Sequence, residues 1–199
     1  FKPGNFKRFS PTKVTYEGCQ QGDIWDTYKF KGTSPAGMDE DNFIFEIKLY
    51  KTCKQVNFTY RLKKKQETEP EALYVAFPFE LNQGKIYLDV PGGTIEAGVE
   101  QIPGSTTDWN TVQNFASVRN EKEQIVLGSK EIPLMQFGNI NLGRFQADAT
   151  PESNHIFTWP MNNYWVTNFN ADQHGEFEWT YYLTSSNDPS IAYATRFAW

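Results

Sequence analysis

The sequence predicts an all-β protein, an antiparallel β-sandwich, and three observations carry that expectation. Aromatic residues make up 16% of 199 positions, with 6 Trp, 10 Tyr and 16 Phe, and these residue types suit pleated, half-buried strands. The 14 Gly and 11 Pro are spread along the chain and punctuate many short connections. Apolar and polar residues alternate in several segments, whereas no amphipathic helix of three clean turns can be drawn. A chain of this length should bury roughly 70% of the surface its unfolded form exposes, so its core needs no disulfide scaffold.

The elements follow in order. Phe43, Phe45, Ile47 and Leu49 share one face, opposite Glu46 and Lys48. After a turn around 51–54, Val56, Phe58, Tyr60 and Leu62 repeat the pattern against Asn57, Thr59 and Arg61. Period-2 patterning on both sides of a short polar link predicts an antiparallel hairpin. Alternation should then shield Phe45 and Phe58 and leave Lys48 and Arg61 more exposed. Residues 72–79 are apolar on both faces and read as a central strand, with Pro78 at its end or at a bulge because it cannot donate to the ladder. A short strand over 85–90 is closed by the turn Pro91-Gly92-Gly93. Further strands fit 124–127, 132–137, 156–159 and 177–183. Residues 108–117 are ambiguous, since Trp109, Val112 and Ala116 could line a helical turn. Asp39-Glu40-Asp41 reads as a loop tip and Ser185-Ser186-Asn187-Asp188-Pro189 as a turn. About ten strands at short spacing suggest a sandwich with elaborated loops. With no internal repeat, low-complexity tract or linker, residues 1–199 are expected to form a single β-sandwich domain.

Charge and composition narrow the partners. Net charge is −5, and the one basic cluster, Arg61-Leu62-Lys63-Lys64-Lys65, is followed at once by Glu67, Glu69 and Glu71. It reads as a solvated strand end, so no nucleic-acid partner is expected. No apolar run approaches the roughly 18 residues of a membrane span. The chain starts at Phe1 and stops at Trp199 without an initiator Met or a signal-peptide core, which reads as excision from a longer chain. A secreted or periplasmic location is the favoured expectation. Cys19 and Cys53 could pair in an oxidising compartment or remain two buried thiols. The sequon Asn57-Phe58-Thr59 lies inside an expected strand and reads as a chance match.

Catalytic signals are sparse. His155 and His174 are the two imidazoles, neither at a local metal-ligand spacing, and each is expected to be solvated or simply hydrogen-bonded. There is no nucleophile elbow, P-loop or dinucleotide fingerprint, and Cys19 has no evident activating partner. Glu176 and Glu178 share a strand face as exposed carboxylates, whereas a glycosidase pair approaches the sugar from opposite sides, about 5–10 Å apart. No catalytic residue and no metal ligand is therefore assigned within this chain. The densest polar-aromatic stretch is 159–173, where Asn162, Asn163, Tyr164, Trp165, Thr167 and Asn168 are the candidate carbohydrate-binding residues. Amides donate and accept as neighbouring hydroxyls require, and aromatic faces cover the C–H side of a sugar ring. The same composition also fits a buried turn whose Asn side chains satisfy backbone groups.

Several of these segments resemble the C-terminal β region of family 38 glycoside hydrolases, the α-mannosidases. They are Glu71-Ala72-Leu73-Tyr74-Val75-Ala76-Phe77-Pro78-Phe79, Gln101-Ile102-Pro103-Gly104-Ser105, Ile132-Pro133-Leu134 with Gly138, and Asn162-Asn163-Tyr164-Trp165-Val166-Thr167-Asn168-Phe169. The resemblance covers most of 43–197 and is most specific in the last stretch. It breaks at Val166, where the family pattern has a His, which puts any role of that His in doubt here. Ala194-Thr195-Arg196-Phe197-Ala198-Trp199 resembles the middle of that region, so a longer parent chain is expected.

The resemblance implies a galactose-mutarotase-like supersandwich, possibly an incomplete one, within an enzyme that hydrolyses α-mannosides with retention. It also implies that the Asp nucleophile and the zinc belong to a separate N-terminal catalytic domain. No cofactor is then expected in this chain, which should be inactive alone. Its implied partners are a mannoside-type glycan and the catalytic domain of the same parent chain. An independent carbohydrate-binding module and a ligand-free structural β-sandwich are the alternatives.

Overall fold

The computed structural model describes residues 6–34, 38–141, 145–147, 149–164 and 172–199, with the backbone alone over 38–42. In chain order the elements are β1 (Lys13–Gln20), β2 (Trp25–Thr33), β3 (Met38–Tyr50), β4 (Val56–Lys64), β5 (Ala72–Phe77), β6 (Lys85–Val90), β7 (Gly93–Glu96), β8 (Asn110–Thr111), β9 (Phe115–Arg119), β10 (Gln124–Ser129), β11 (Leu134–Phe137), β12 (Ile156–Asn162), β13 (Gly175–Ser186) and α1 (Ile191–Ala198). The fold is an all-β sandwich of antiparallel strands. The chain divides into two compact units, one built from Lys7–Ala72 and Met161–Tyr182, the other from Phe1–Phe6, Leu73–Pro160 and Leu183–Trp199.

The first unit is a meander in the order β1-β2-β3-β4, with β13 beside β4. The expected hairpin is present as β3 and β4, with Phe45 opposite Tyr60 and Ile47 opposite Phe58. Because side chains alternate across the sheet, each aromatic meets another in the neighbouring strand. Tyr16 pairs with Phe30 and Phe30 with Phe45, at ring-centroid distances of 5.4 and 5.9 Å. Tyr60 follows at 4.7 Å from Phe45 and stacks on Trp179 at 5.9 Å, with Tyr181 edge-on at 6.0 Å. Exposure rises along this row, from Tyr181 at 0% and Trp179 at 4% to Tyr16 at 53%. Gly32 opposes Phe43, and the Phe43 ring occupies the space a Cβ there would need.

The other face of this sheet is polar. Arg61 sits between Glu46, at 2.8 Å, and Glu178. Thr59 shares a hydrogen bond of 2.9 Å with Thr180, and the Lys48 ammonium lies 4.4 Å above the Trp25 ring. These contacts explain why the expected exposure contrast is not found. Phe45, Phe58, Lys48 and Arg61 are all half-buried, since the long cationic side chains lie down on the sheet and cover their own stems.

Several expectations are corrected in this unit. The supposed loop tip at 39–41 belongs to β3, whose register with β4 breaks between Met38 and Phe43. Cys19 and Cys53 are free and exposed, neither paired nor buried. Asn57 is buried within β4 and donates to the Tyr50 hydroxyl at 3.4 Å, which leaves the sequon no room for a glycan. Strands β1 and β2 lie in a stretch where no element was expected. In β1 the pairing shifts between Tyr16 and Gly18, and Gly18 has φ +139°. This bulge brings Cys19, not Gly18, opposite Tyr28.

In the second unit, the end of β13 and strands β10-β9-β6-β7 form one sheet, and β5-β12-β11-β8 form the other. Ile86, Leu88, Ala116, Val118 and Leu127 share one face of the first sheet and are buried. Met135, Ile156 and Thr158 are the buried face of the second. On the outer side of β9 and β10, Phe115 and Val126 pack against Ala194, Tyr193, Phe197 and Ala198 of α1. That helix is short, which is why its periodicity gave no signal, but its start is well made. Ser190 caps it, its hydroxyl accepting from the Tyr193 N–H at 3.2 Å. The Gln124 amide donates to the carbonyls of Asp188 at 2.6 Å and Ser190 at 3.0 Å. Residues 108–117 resolve to strands, not a helical turn, because Val112 N–H donates to Pro133 and Gln113 N–H to Asp89. Strand β5 is the edge strand of its sheet, not the central strand its two apolar faces suggested, and Pro78 lies just past its end, as the missing N–H requires.

The buried aromatic row has a titration consequence. Burial pushes the Tyr60 phenol from its ordinary 10.0 up to about 12. The folded chain thus keeps a proton that the unfolded chain gives up. The associated stability is fully present below pH 10 and is lost as pH rises through about 12. Urea unfolding midpoints should fall across this window, and Tyr60→Phe should flatten that fall. An identical slope in the variant would refute the assignment.

Candidate functional site

Three strand ends of the first unit place the candidate residues: β4 finishes at Lys64, β12 at Asn162, and β13 starts at Gly175. The connection after β4 carries Glu67, Glu69 and Glu71 outside any strand, so its backbone groups must find partners elsewhere. Asn163 supplies them. Its side-chain oxygen accepts the Glu71 N–H at 2.6 Å, and its side-chain nitrogen donates to the carbonyls of Glu67 and Glu69, each at 3.0 Å. Its own N–H donates to the Glu71 carbonyl at 3.1 Å. Both amide hydrogens are therefore committed to backbone, and the residue is buried. Asn163 acts as the anchor of this turn.

Asp172 reaches the same connection at Glu67. Its Oδ1 accepts the Glu67 N–H at 3.3 Å, and its Oδ2 lies 3.0 Å from Nδ1 of His174. Desolvation alone would raise the Asp172 carboxyl, but the Glu67 amide, His174 and Gln66 together hold it below its ordinary value. Glu67 thus has its N–H taken by Asp172 and its carbonyl by Asn163. Around this point Lys64 pairs with the Glu71 carboxylate and donates to the Lys65 carbonyl, and Glu67 Oε1 accepts the Glu69 N–H at 2.9 Å.

Among the other candidates, Asn162 and Tyr164 are half-buried at the end of β12 and just beyond it. Trp165, Thr167 and Asn168, with Val166, lie outside the described residues. Sequence reasoning passed over Asp172 and His174 as participants. The available signal was an Asp two residues before a His, immediately after the Asn-rich stretch and before a strand. His155 belongs elsewhere, edge-on to Phe157 at 6.2 Å. Glu178 is paired with Arg61 on the polar sheet face, not aimed at another carboxylate. Among the described residues, no three His, Cys, Asp or Glu side chains gather as a metal ligand set.

A second polar cluster, in the other unit, is internal bracing. Asp108 accepts from Asn141 at 2.9 Å and from Thr106 at 3.1 Å, and Gln101 donates to Asn110 at 2.8 Å. These bonds tie the 97–111 connection to the residues after β11 and leave the Asp108 carboxylate occupied on both oxygens.

No family model matches the sequence, and no curated protein matches it. Solved structures do match. A protein in the glycosyl hydrolase family 38 from Enterococcus faecalis superposes with a TM-score of 0.65 over 93% of this chain and 24% of its own, at 15% identity. The fold is that of part of a family 38 glycosyl hydrolase. An alpha-mannosidase from Enterococcus faecalis V583 agrees, with a TM-score of 0.61, 14% identity, and coverage of 92% of this chain and 23% of that one. A galactose mutarotase related enzyme from Lactobacillus acidophilus aligns over 90% of this chain and 73% of its own, with a TM-score of 0.41 and 9% identity. The chain spans about a quarter of the length of the two family 38 proteins. At this identity the likeness is one of fold, and at that level the resemblance read from the residues is borne out.

The hydrogen bonds of Asn163 separate it from its neighbour. Asn163→Ala strips partners from three part-buried backbone groups; a fully buried one left unsatisfied costs about 1–3 kcal/mol, so a smaller loss at each still adds up to a clear drop of the unfolding midpoint. Asn162→Ala should leave it within about 0.5 kcal/mol. Equal losses in thermal melts of the two variants would contradict this division.

Proposed function

We propose that this chain is a non-catalytic β-domain of a family 38-like glycoside hydrolase that scaffolds the catalytic part and contributes carbohydrate contacts from the residues at and beyond the end of β12. The supporting observation is the superposition on a family 38 protein over 93% of this chain but 24% of that protein. Under this reading Asn162, Tyr164, Trp165, Thr167 and Asn168 are the sugar-facing residues. Asn163, between them in sequence, instead ties this stretch to the connection after β4, since its amide is engaged with the backbone of Glu67, Glu69 and Glu71. A mannoside-type glycan is the ligand this reading implies.

Retaining glycoside hydrolysis needs two carboxyl groups about 5–5.5 Å apart across the scissile bond. Of the carboxylates near the candidate segment and the polar sheet face, Glu46 and Glu178 pair with Arg61, Glu71 pairs with Lys64, and Asp172 bonds Glu67 and His174. The donor set for zinc does not fit these residues either, because Asp172 and His174 have no third ligand among the described side chains. Nucleophile and zinc therefore fall, in this reading, to the rest of the parent enzyme. The commitment of Asn163 to backbone favours a second reading, a ligand-free structural sandwich, in which this whole segment is a braced turn.

Titration calorimetry of the intact chain with methyl α-mannopyranoside and α-linked mannobiose separates the two. Saturable binding that weakens in Asn162→Ala or Trp165→Ala, at unchanged melting temperature, is expected. No binding to any saccharide, or substitutions that lower only stability, would leave the structural reading standing. Aryl α-mannosides should not be cleaved by the chain with or without added zinc. Turnover that a single carboxylate substitution abolishes would overturn the non-catalytic assignment.

A further inference from the structure

We propose that His174, oriented by Asp172, is a hydroxyl-reading residue that acts with Asn162 and Tyr164 and contacts the saccharide through Nε2. The inference rests on the carbohydrate-binding reading above. Three observations carry it. The Asp172 carboxylate oxygen lies 3.0 Å from Nδ1, which restrains the ring at one nitrogen and faces it with an acceptor. The His174 side chain is 60% exposed while that of Asp172 is 16% exposed, so the carboxylate is the sheltered member and the ring the presented one. The other Asp172 oxygen holds the Glu67 N–H, whose carbonyl is held by Asn163. The ring is thus tied, through Asp172 and Glu67, to Asn163, which Asn162 and Tyr164 flank in sequence.

The chemistry of the pair selects the ligand class. An ionised carboxylate only accepts, so Nδ1 must carry a proton whether the ring is neutral or charged. Nε2 is then an acceptor in the neutral ring and a donor in the charged one. A sugar hydroxyl can answer either form, because it both donates and accepts. A carboxylate that fixes ring orientation through the far nitrogen is the arrangement used wherever an imidazole must present its other nitrogen with defined geometry. An exposed ring serving as bracing alone would need no such fixing, since the Asp172 bond to Glu67 already ties the turn without it. Asp172 is the positioning residue here, and His174 the contacting one.

Nitrogen-15 spectra of the histidine-labelled intact chain, titrated with methyl α-mannopyranoside, test this directly. The free chain should show His174 with its proton on Nδ1. Saturating mannoside should then shift its Nε2 resonance along the binding curve seen by calorimetry, while His155 stays fixed. His174→Ala should weaken binding by about three- to tenfold, the size of one net hydrogen bond. His174→Gln, which retains a donor and an acceptor, should recover part of that loss, and neither variant should change the melting temperature. Asp172→Ala should redistribute the proton between the two ring nitrogens, a signature that general loosening of the turn would not produce. Mannoside binding with unmoved His174 signals and full affinity in His174→Ala would overturn this inference and leave the carbohydrate reading intact. Absence of binding to any saccharide would overturn both.

Discussion

A connection that leaves a sheet gives up its ladder, and each of its shielded N–H and C=O groups must be met by something else. Between β4 and β5 the chain makes such a departure, and one amide side chain absorbs it. Asn163 meets three backbone groups of this connection through its side chain, across sequence separations of 92, 94 and 96 residues. An amide suits the task because it offers donors and an acceptor on one short, stiff frame. A carboxylate at this position would have faced two carbonyls with lone pairs, and a lysine would have had nothing to offer the Glu71 N–H. With the turn held, Glu67 becomes a fixed point on which Asp172 also closes, and the polar groups of this end of the unit take their positions from it.

The sheet behind that turn provides the rigidity. Aromatic side chains meet strand by strand from Tyr16 to Trp179, and their opposite face is laced by Arg61 with Glu46 and Glu178. Exposed ion pairs of this kind contribute little each, so the aromatic face carries most of the stabilisation through buried area and ring contacts. Binding residues on a connection need such a scaffold, because a contact misplaced by a fraction of an ångström loses its hydrogen bond.

Much of the fold was legible in sequence, and the gaps have physical causes. The β3–β4 hairpin announced itself because both strands alternate over several residues, and β6 was visible between its polar flanks. Strand β1 was not, because it is nearly all exposed and its bulge interrupts the period. Strand β2 does alternate Thr27, Lys29 and Lys31 with Tyr28 and Phe30, a signal present but unused. Helix α1 has eight residues, too few for periodicity to rise above chance, although Ser190 after Asp188-Pro189 marks its start. The candidate segment was legible as residue types only. Composition pointed to 159–173, but no local pattern could reveal that Asn163 would spend its amide on residues near Glu67, or that Asp172 would accept the Glu67 N–H. Those roles are created by distant pairing, which leaves no periodic trace.

The bulge in β1 bears on how this chain behaves in a crowded solution. As the outermost strand of its meander, β1 has one rim of backbone groups that no strand among the described residues matches, and an open rim of that kind is a template on which a foreign strand can add. Its regular pairing is broken into Lys13–Tyr16 and Gly18–Gln20, with Gly18 at φ +139°. An incoming strand would find a straight run of only a few residues before the backbone turns aside, with Lys13 and Glu17 charged along it. The irregularity that hid β1 from view in the sequence is the same one that discourages the chain from polymerising through its edge.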